Sequence, residues 1–386
     1  MFGCSSGTPP PQVPTVPAQT TTSAFLPTTN TGTATYPKTT QTPTRRMLGT
    51  YTWSQNYWRD GNEKLFEFLN SDMGQEWNCG DVSVNIADST NAHALATPEK
   101  LVEFMVNFRR KTNNQGILWL TYGDVVSKEG ALMVAFVQTF KDFLINYVDA
   151  NTMAEIAPIG LSFDVEHIEQ NYIKEALQDA QQMKEDLHKG LGYLPNSIYV
   201  QYTIEGAPDT LGTQYVMQYA DSALMMLYRN EIKDTTGNNA DDLLGRLRWM
   251  LHDQCLVCTQ PGWQNLKAKI TIMVEGSCKM GSNCHKISMC AFDSATYPNP
   301  SGGIEYAWNT LNKMKALMVP DGIVTQEQYD GLFNHEGTLF TLHNWEWTRC
   351  YYGDSFSQSM GYIVHKLAFY QEEPGVPSHN RFTRIL

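Results

Sequence analysis

Between residues 47 and 370 the chain alternates short apolar runs with stretches of helical periodicity, eight times over. The runs fall at 47–53, 81–87, 116–122, 159–164, 197–202, 222–228, 269–275 and 338–345. The helical patterns fall at 63–69, 97–111, 130–148 and 168–189, the last ending at Gly190. Others follow: a short one after the fifth run, then 240–254, 304–317 and 357–370. Thr97-Pro98-Glu99 carries an N-cap, a first-turn proline and an acid, the usual opening of a helix. Near-continuous apolar strands separated by helices predict a parallel sheet covered by its crossover helices. Eight such units are the count of a (β/α)8 TIM barrel, and the size fits. A doubly wound open sheet would ordinarily carry a glycine-rich turn after its first strand, and residues 50–62 have none. The expected class is therefore α/β, as a (β/α)8 TIM barrel.

The segment ahead of the first run differs in kind. Residues 1–45 are dominated by Thr, Pro, Ser and Ala and carry almost no charge. Such a composition cannot bury enough apolar surface to fold, and it predicts a disordered stalk or linker. Thr/Pro-rich tracts of this kind suit a secreted or cell-surface protein. The barrel domain is then expected over 46–386, with a cysteine-rich loop at 276–303. Eight cysteines are present, and Cys278, Cys284 and Cys290 fall in that loop. In an exported protein they predict disulfides. The alternative, a zinc site from Cys255, Cys258, Cys278 and Cys284, has irregular spacing, and no metal or other cofactor is expected. The formal net charge of −12 argues against a nucleic-acid partner and against docking on an anionic membrane. No apolar run approaches the length of a membrane span.

In a parallel barrel the C-terminal strand ends carry the chemistry. The first strand delivers Tyr51 and Trp53 there, the second Asp88, and the third Tyr122 and Asp124. Asp164 and Glu166 follow the fourth, and Gln201, Tyr202 and Glu205 the fifth. The later strands add Tyr228 and Arg229, Glu275, then Trp345, Glu346 and Trp347. Aromatic faces stack on sugar rings, and carboxylates bond hydroxyls and move protons, so the set predicts a polysaccharide or oligosaccharide partner. Asp164 and Glu166 are spaced i, i+2, which puts both on one face of a strand. Two carboxyls so close drive their proton affinities apart, the condition for acid chemistry near neutral pH.

Gly160-Leu161-Ser162-Phe163-Asp164-Val165-Glu166 resembles the fourth-strand signature of family 18 glycoside hydrolases, the chitinase group, Asp-Gly-x-Asp-x-Asp-x-Glu. Gly49-Thr50-Tyr51-Thr52-Trp53 is similar to the first strand of that family, Met226-Leu227-Tyr228 to its sixth, and 337–345 to its eighth. Three positions depart: Ile159 and Ser162 stand where the family has aspartates, and Arg229 where it has an aspartate after the sixth-strand Tyr. The resemblance implies Glu166 as general acid, with the substrate's own N-acetyl carbonyl as nucleophile. It implies Asp164 as the group that orients the acetamide, Tyr228 as its hydrogen-bond donor and Trp345 as the floor of the pocket. Tyr51, Trp53, Tyr122, Tyr202 and Glu275 are expected to complete the sugar site. A second enzymatic reading pairs Glu166 as acid with Glu275 as nucleophile, a retaining β-glycanase arrangement. Val165 stands where that clan usually has Asn. A third reading is a non-catalytic carbohydrate-binding or structural barrel.

Overall fold

The computed structural model describes residues 48–52, 58, 62–70, 80–89, 93–112, 114–124, 130–205, 210–227, 266–274, 312–320, 322, 325–333 and 340–342. The expected stalk, all eight cysteines and the loop 276–303 lie outside these residues.

Eight strands run in chain order: β1 (Leu48–Thr52), β2 (Val82–Ala87), β3 (Leu118–Asp124) and β4 (Ile159–Val165), then β5 (Ile198–Ile204), β6 (Ser222–Met226), β7 (Lys269–Val274) and β8 (Phe340–Leu342). Each pairs in parallel with the next, and β8 pairs with β1, so the curled sheet closes on itself. Helices α1 (Asn62–Leu69), α2 (Pro98–Thr112), α3 (Gly130–Tyr147), α4 (Ala150–Ile156), α5 (Gln170–Leu191) and α6 (Thr210–Tyr219) follow the first five strands. A helical stretch at 312–318 and α7 (Gln326–Leu332) precede β8. The helices expected at 240–254 and 357–370 lie outside the described residues. The class is thus α/β with a curled parallel sheet, as the alternation of runs predicts. Among the described residues no single helix is long and apolar enough to cross a membrane.

The sequence of β4 explains how the sheet is filled. Ile159, Leu161, Phe163 and Val165 belong to the large core between sheet and helices. Gly160, Ser162 and Asp164 alternate with them and point into the barrel. Register keeps parity around the sheet: Trp119, Thr121 and Gly123 of β3 sit level with Gly160, Ser162 and Asp164. Trp119 fills the interior near the N-terminal ends, where its Nε1–H donates to Asp81 Oδ2 at 3.2 Å. A Cβ on Gly160 would lie 2.1 Å from the Trp119 ring, so the glycine is the space that the indole occupies. One layer up, Ser162 Oγ donates to Gln201 Oε1 and Gln201 Nε2 donates to Ser222 Oγ, both at 3.0 Å. Above these, Tyr51, Leu224, Met226 and Met273 form a small apolar cluster inside the barrel.

Two helix ends and one whole helix differ from expectation. The long helix passes Gly190 and stops at Leu191, because Gly192 takes the left-handed turn (φ 72°) and donates to His188 O at 3.2 Å. Gly-Leu-Gly offers two stops, and only the second lies where the turn closes. The third-strand helix ends at Tyr147, and Asp149 caps a separate α4 by accepting from Thr152 N at 2.7 Å. Helix α7 lies outside the expected pattern altogether. It opens with a reciprocal capping box between Thr325 and Gln328.

Candidate active site

The site begins where β4 leaves the sheet. Asp164 is its last inward residue and is fully buried. Tyr51 Oη, reaching across the interior from β1, donates to Asp164 Oδ2 at 3.2 Å. Asp164 Oδ1 has no hydrogen-bond partner among the described residues. Burial, and after it the charge of Glu166, pushes the Asp164 carboxyl up to about 7, while the Tyr51 hydrogen bond pulls the other way. At neutral pH this group is therefore held towards its protonated form, where an ordinary aspartate is ionised.

Glu166 is the next residue of the same parity, with a quarter of its side chain exposed. His167 follows with φ 60°, in the left-handed region. Outside glycine that conformation is uncommon, although histidine is among the residues that tolerate it. The turn sets the imidazole between two carboxylates: Nε2 lies 3.8 Å from Glu166 Oε2, and Nδ1 lies 3.0 Å from Glu205 Oε2. Glu205 directly follows β5 and shares the inward parity of Gln201 and Thr203. Burial raises the Glu205 carboxyl, His167 opposes that, and the Glu166 charge adds to it.

Glu166, His167 and Glu205 offer three ligand atoms within 4.8 Å of one another, a donor set that a zinc ion could use. An imidazole gives a metal one ring nitrogen, however, and here each nitrogen faces a different carboxylate. The arrangement is that of a ring bridging two acids.

Of the residues expected at the mouth, the structure brings together Tyr51, Asp164, Glu166 and Glu205. Tyr122 and Tyr202 lie elsewhere. Their parity is that of Phe163, which turns them into the layer between sheet and helices. Tyr122 packs on Phe136 at 4.6 Å between ring centroids, and Tyr202 packs on Phe163 at 6.3 Å. Tyr202 Oη donates to Val165 O at 2.8 Å, and burial raises its phenol. Both rings face the helix layer, on the side of the sheet opposite to Asp164. Trp53, Tyr228, Arg229, Glu275 and Trp345 lie outside the described residues. His167 is the residue that sequence reasoning misses, because its only signal is adjacency to Glu166.

No protein-family model matches the chain, and no curated protein matches it. Solved structures are similar to it. A class V chitinase from Nicotiana tobaccum is 11% identical, with a TM-score of 0.47, over 83% of this chain and 99% of that one. A chitinase from Ipomoea carnea is 13% identical, with a TM-score of 0.41, over 82% and 99%. A xylanase and alpha-amylase inhibitor protein from Scadoxus multiflorus is 12% identical, with a TM-score of 0.42, over 84% and 98%. Proteins named as chitinases and a protein named as a xylanase and alpha-amylase inhibitor both stand among these neighbours.

Proposed function

We propose that the chain is a glycoside hydrolase-like protein acting on an N-acetylglucosamine-containing polysaccharide, by a substrate-assisted retaining mechanism with Glu166 as general acid. The reading takes the sheet as the core of a complete (β/α)8 TIM barrel carried on a stalk of residues 1–45, in a secreted or cell-surface protein whose cysteines form disulfides. The observation that carries it is the Asp164–Glu166 pair. One carboxyl is buried with a proton affinity near neutrality and an unpartnered oxygen, and the other stands two residues on, partly open to solvent.

The chemistry needs the proton of this coupled pair on Glu166 and the charge on Asp164. Glu166 gives its proton to the glycosidic oxygen as the bond to the anomeric carbon breaks. The acetamide carbonyl oxygen of the same sugar attacks that carbon, so no protein nucleophile is needed. The acetamide N–H points to Asp164 Oδ1, and the Asp164 anion balances the positive charge that develops on the ring so formed. Water, deprotonated by Glu166, then opens the ring with retention. Tyr51 steadies Asp164 from below. Trp53, Tyr228, Glu275 and Trp345 complete the sugar site, with Tyr228 on the acetamide oxygen and Trp345 beneath the ring.

Turnover of fluorogenic chito-oligosaccharides, set beside β-gluco-linked ones, tests this. Glu166→Gln should lose about 10²- to 10⁴-fold in kcat on the chito-series. Turnover of gluco-substrates alone, abolished in Glu275→Gln, would assign the chain to the two-glutamate mechanism. Binding without turnover would make it a lectin-like barrel. The pH profile carries a further expectation. The mechanism uses the Asp164 anion, so kcat should fall as pH drops through about 7, and Asp164→Asn should lack that limb in its residual activity. The limb belongs to the coupled pair.

A further inference from the structure

We infer that His167 and Glu205 are positioning residues for Glu166, a role that rests on Glu166 being the acid of the proposed reaction. Three observations carry it. The first is backbone conformation. His167 adopts φ 60° at the residue directly after the acid, where glycine would adopt it without strain. A side chain kept at such a position implies a use for it. The second is the imidazole geometry. Nδ1 lies 3.0 Å from Glu205 Oε2, which fixes the ring plane, and this fixed ring presents Nε2 to Glu166 Oε2 at 3.8 Å.

The third is what lies below. The next inward residue beneath Asp164 on β4 is Ser162, which is hydrogen-bonded to Gln201 and brings no charge. Among the described residues, Glu166 has as its charged neighbours Asp164 on β4, His167 in the turn and Glu205 at the end of β5. Among the described residues, Tyr202, buried behind them, and Tyr51, hydrogen-bonded to Asp164, are further titratable groups beside these charges. A glutamate at a strand end has three side-chain torsions to fix before its proton can point at a glycosidic oxygen. A ring anchored on β5 restricts them without occupying the buried Asp164 side of the site. It also bars Glu166 and Glu205 from meeting as bare like charges.

The test uses the full chain, four single variants and one double variant. His167→Asn keeps a residue that tolerates the left-handed turn but lacks the bridging ring. It should lower kcat on chito-oligosaccharides by about 10- to 100-fold with KM little changed, and Glu205→Gln should do the same. His167 is 62% exposed, so free imidazole can reach its place. Imidazole should restore part of the activity of His167→Gly and none of it when Glu205→Gln is added, a result that a purely backbone role would not give. ¹³C-carboxyl NMR supplies a readout that needs no turnover. The Glu205 titration, already above the ordinary glutamate range, should move further up in His167→Asn and down in Glu166→Gln. Unchanged kcat in His167→Asn, with Glu166→Gln inactive, would overturn the positioning role and leave the hydrolase reading intact. A Glu205 titration indifferent to His167→Asn would overturn the pair itself. Absence of any Glu166-dependent turnover would overturn the reading, and the positioning role with it.

Discussion

Asp221 and Asp164 are the same residue type at opposite ends of the same sheet, the first part-buried and the second fully buried, and their surroundings drive them in opposite directions. Asp221 precedes β6 at the N-terminal end. Its Oδ2 accepts from Lys184 Nζ at 2.5 Å and from the Val200 N–H at 2.8 Å, and Lys267 Nζ lies 2.7 Å from Oδ1. Burial alone would raise this carboxyl, but Lys184 and Lys267 outweigh it and hold Asp221 below the ordinary aspartate range. Other polar groups at that end are also tied. Arg109 donates to the carbonyls of Asn114, Gly116, Ile156 and Pro158, gathering the entries to β3 and β4. Asp81 accepts from Ile117 N and from the Trp119 indole. At the C-terminal end Asp164 has one neutral phenol, one unpartnered oxygen and a like-charged neighbour, and it rises to about 7. The N-terminal end satisfies its charges and supplies stability. At the mouth, Asp164 has no cation beside it among the described residues, which is the condition in which a carboxyl can exchange a proton near pH 7.

The same isosteric substitution at the two ends should change stability with opposite sign. The folded-state affinity of Asp164 is raised from 3.8 to about 7, so its ionisation costs stability. Stability is whole below about pH 4 and is lost progressively as pH climbs through about 7. Three pH units correspond to roughly 4 kcal/mol at most. Asp164→Asn, which keeps an acceptor for Tyr51, should therefore match the wild type in urea unfolding near pH 4. It should then exceed it by up to that amount above pH 7, while losing activity. Asp221 has a lowered affinity, so its stabilisation is present at neutral pH and is lost as pH falls into the acid range. Asp221→Asn leaves two ammonium groups facing an amide and should cost about 3 kcal/mol at pH 7, with the deficit shrinking below about pH 4. Loss of stability above pH 7 in Asp164→Asn would erase the contrast between the ends.

How much of this the sequence displays depends on which physical rule is local. The i, i+2 spacing of Asp164 and Glu166 places them on one face of β4 without any knowledge of neighbours. Glu205 is likewise readable as a mouth residue, because it directly follows the fifth apolar run. Tyr122 and Tyr202 fail for a reason also contained in strand geometry. Nearness to a strand end says nothing about which face a side chain takes, and a shift of one residue turns it from mouth to helix layer. Only the register of Tyr122 and Tyr202 with Phe163 fixes that face, and register is a property of the assembled sheet. His167 is invisible for a different reason. A left-handed turn at a non-glycine residue has no compositional mark, and its partner Glu205 lies 38 positions away in the chain (205 − 167). Gly192 shows the limit of helix-end reading, since Gly190 is an equally good stop until the closing hydrogen bond to His188 is seen.

The smallest expected effect comes from Gly160, which shares the fourth-strand motif with the two acids but sits at the opposite, tightly filled end of the strand. A Cβ there would come within 2.1 to 3.0 Å of three Trp119 ring atoms. The indole cannot yield by rotating, because its Nε1–H is held by Asp81 and the ring is 2% exposed. Gly160→Ala must therefore move Trp119 or the β4 backbone, and overpacking of this kind costs about 2 kcal/mol. The expected outcome is a lower urea midpoint, with the Glu205 titration and the pH limb attributed to Asp164 unchanged. If Gly160→Ala instead shifted that limb while leaving the midpoint alone, the two ends would be coupled through β4, and the division between a stabilising floor and a reactive mouth would fail.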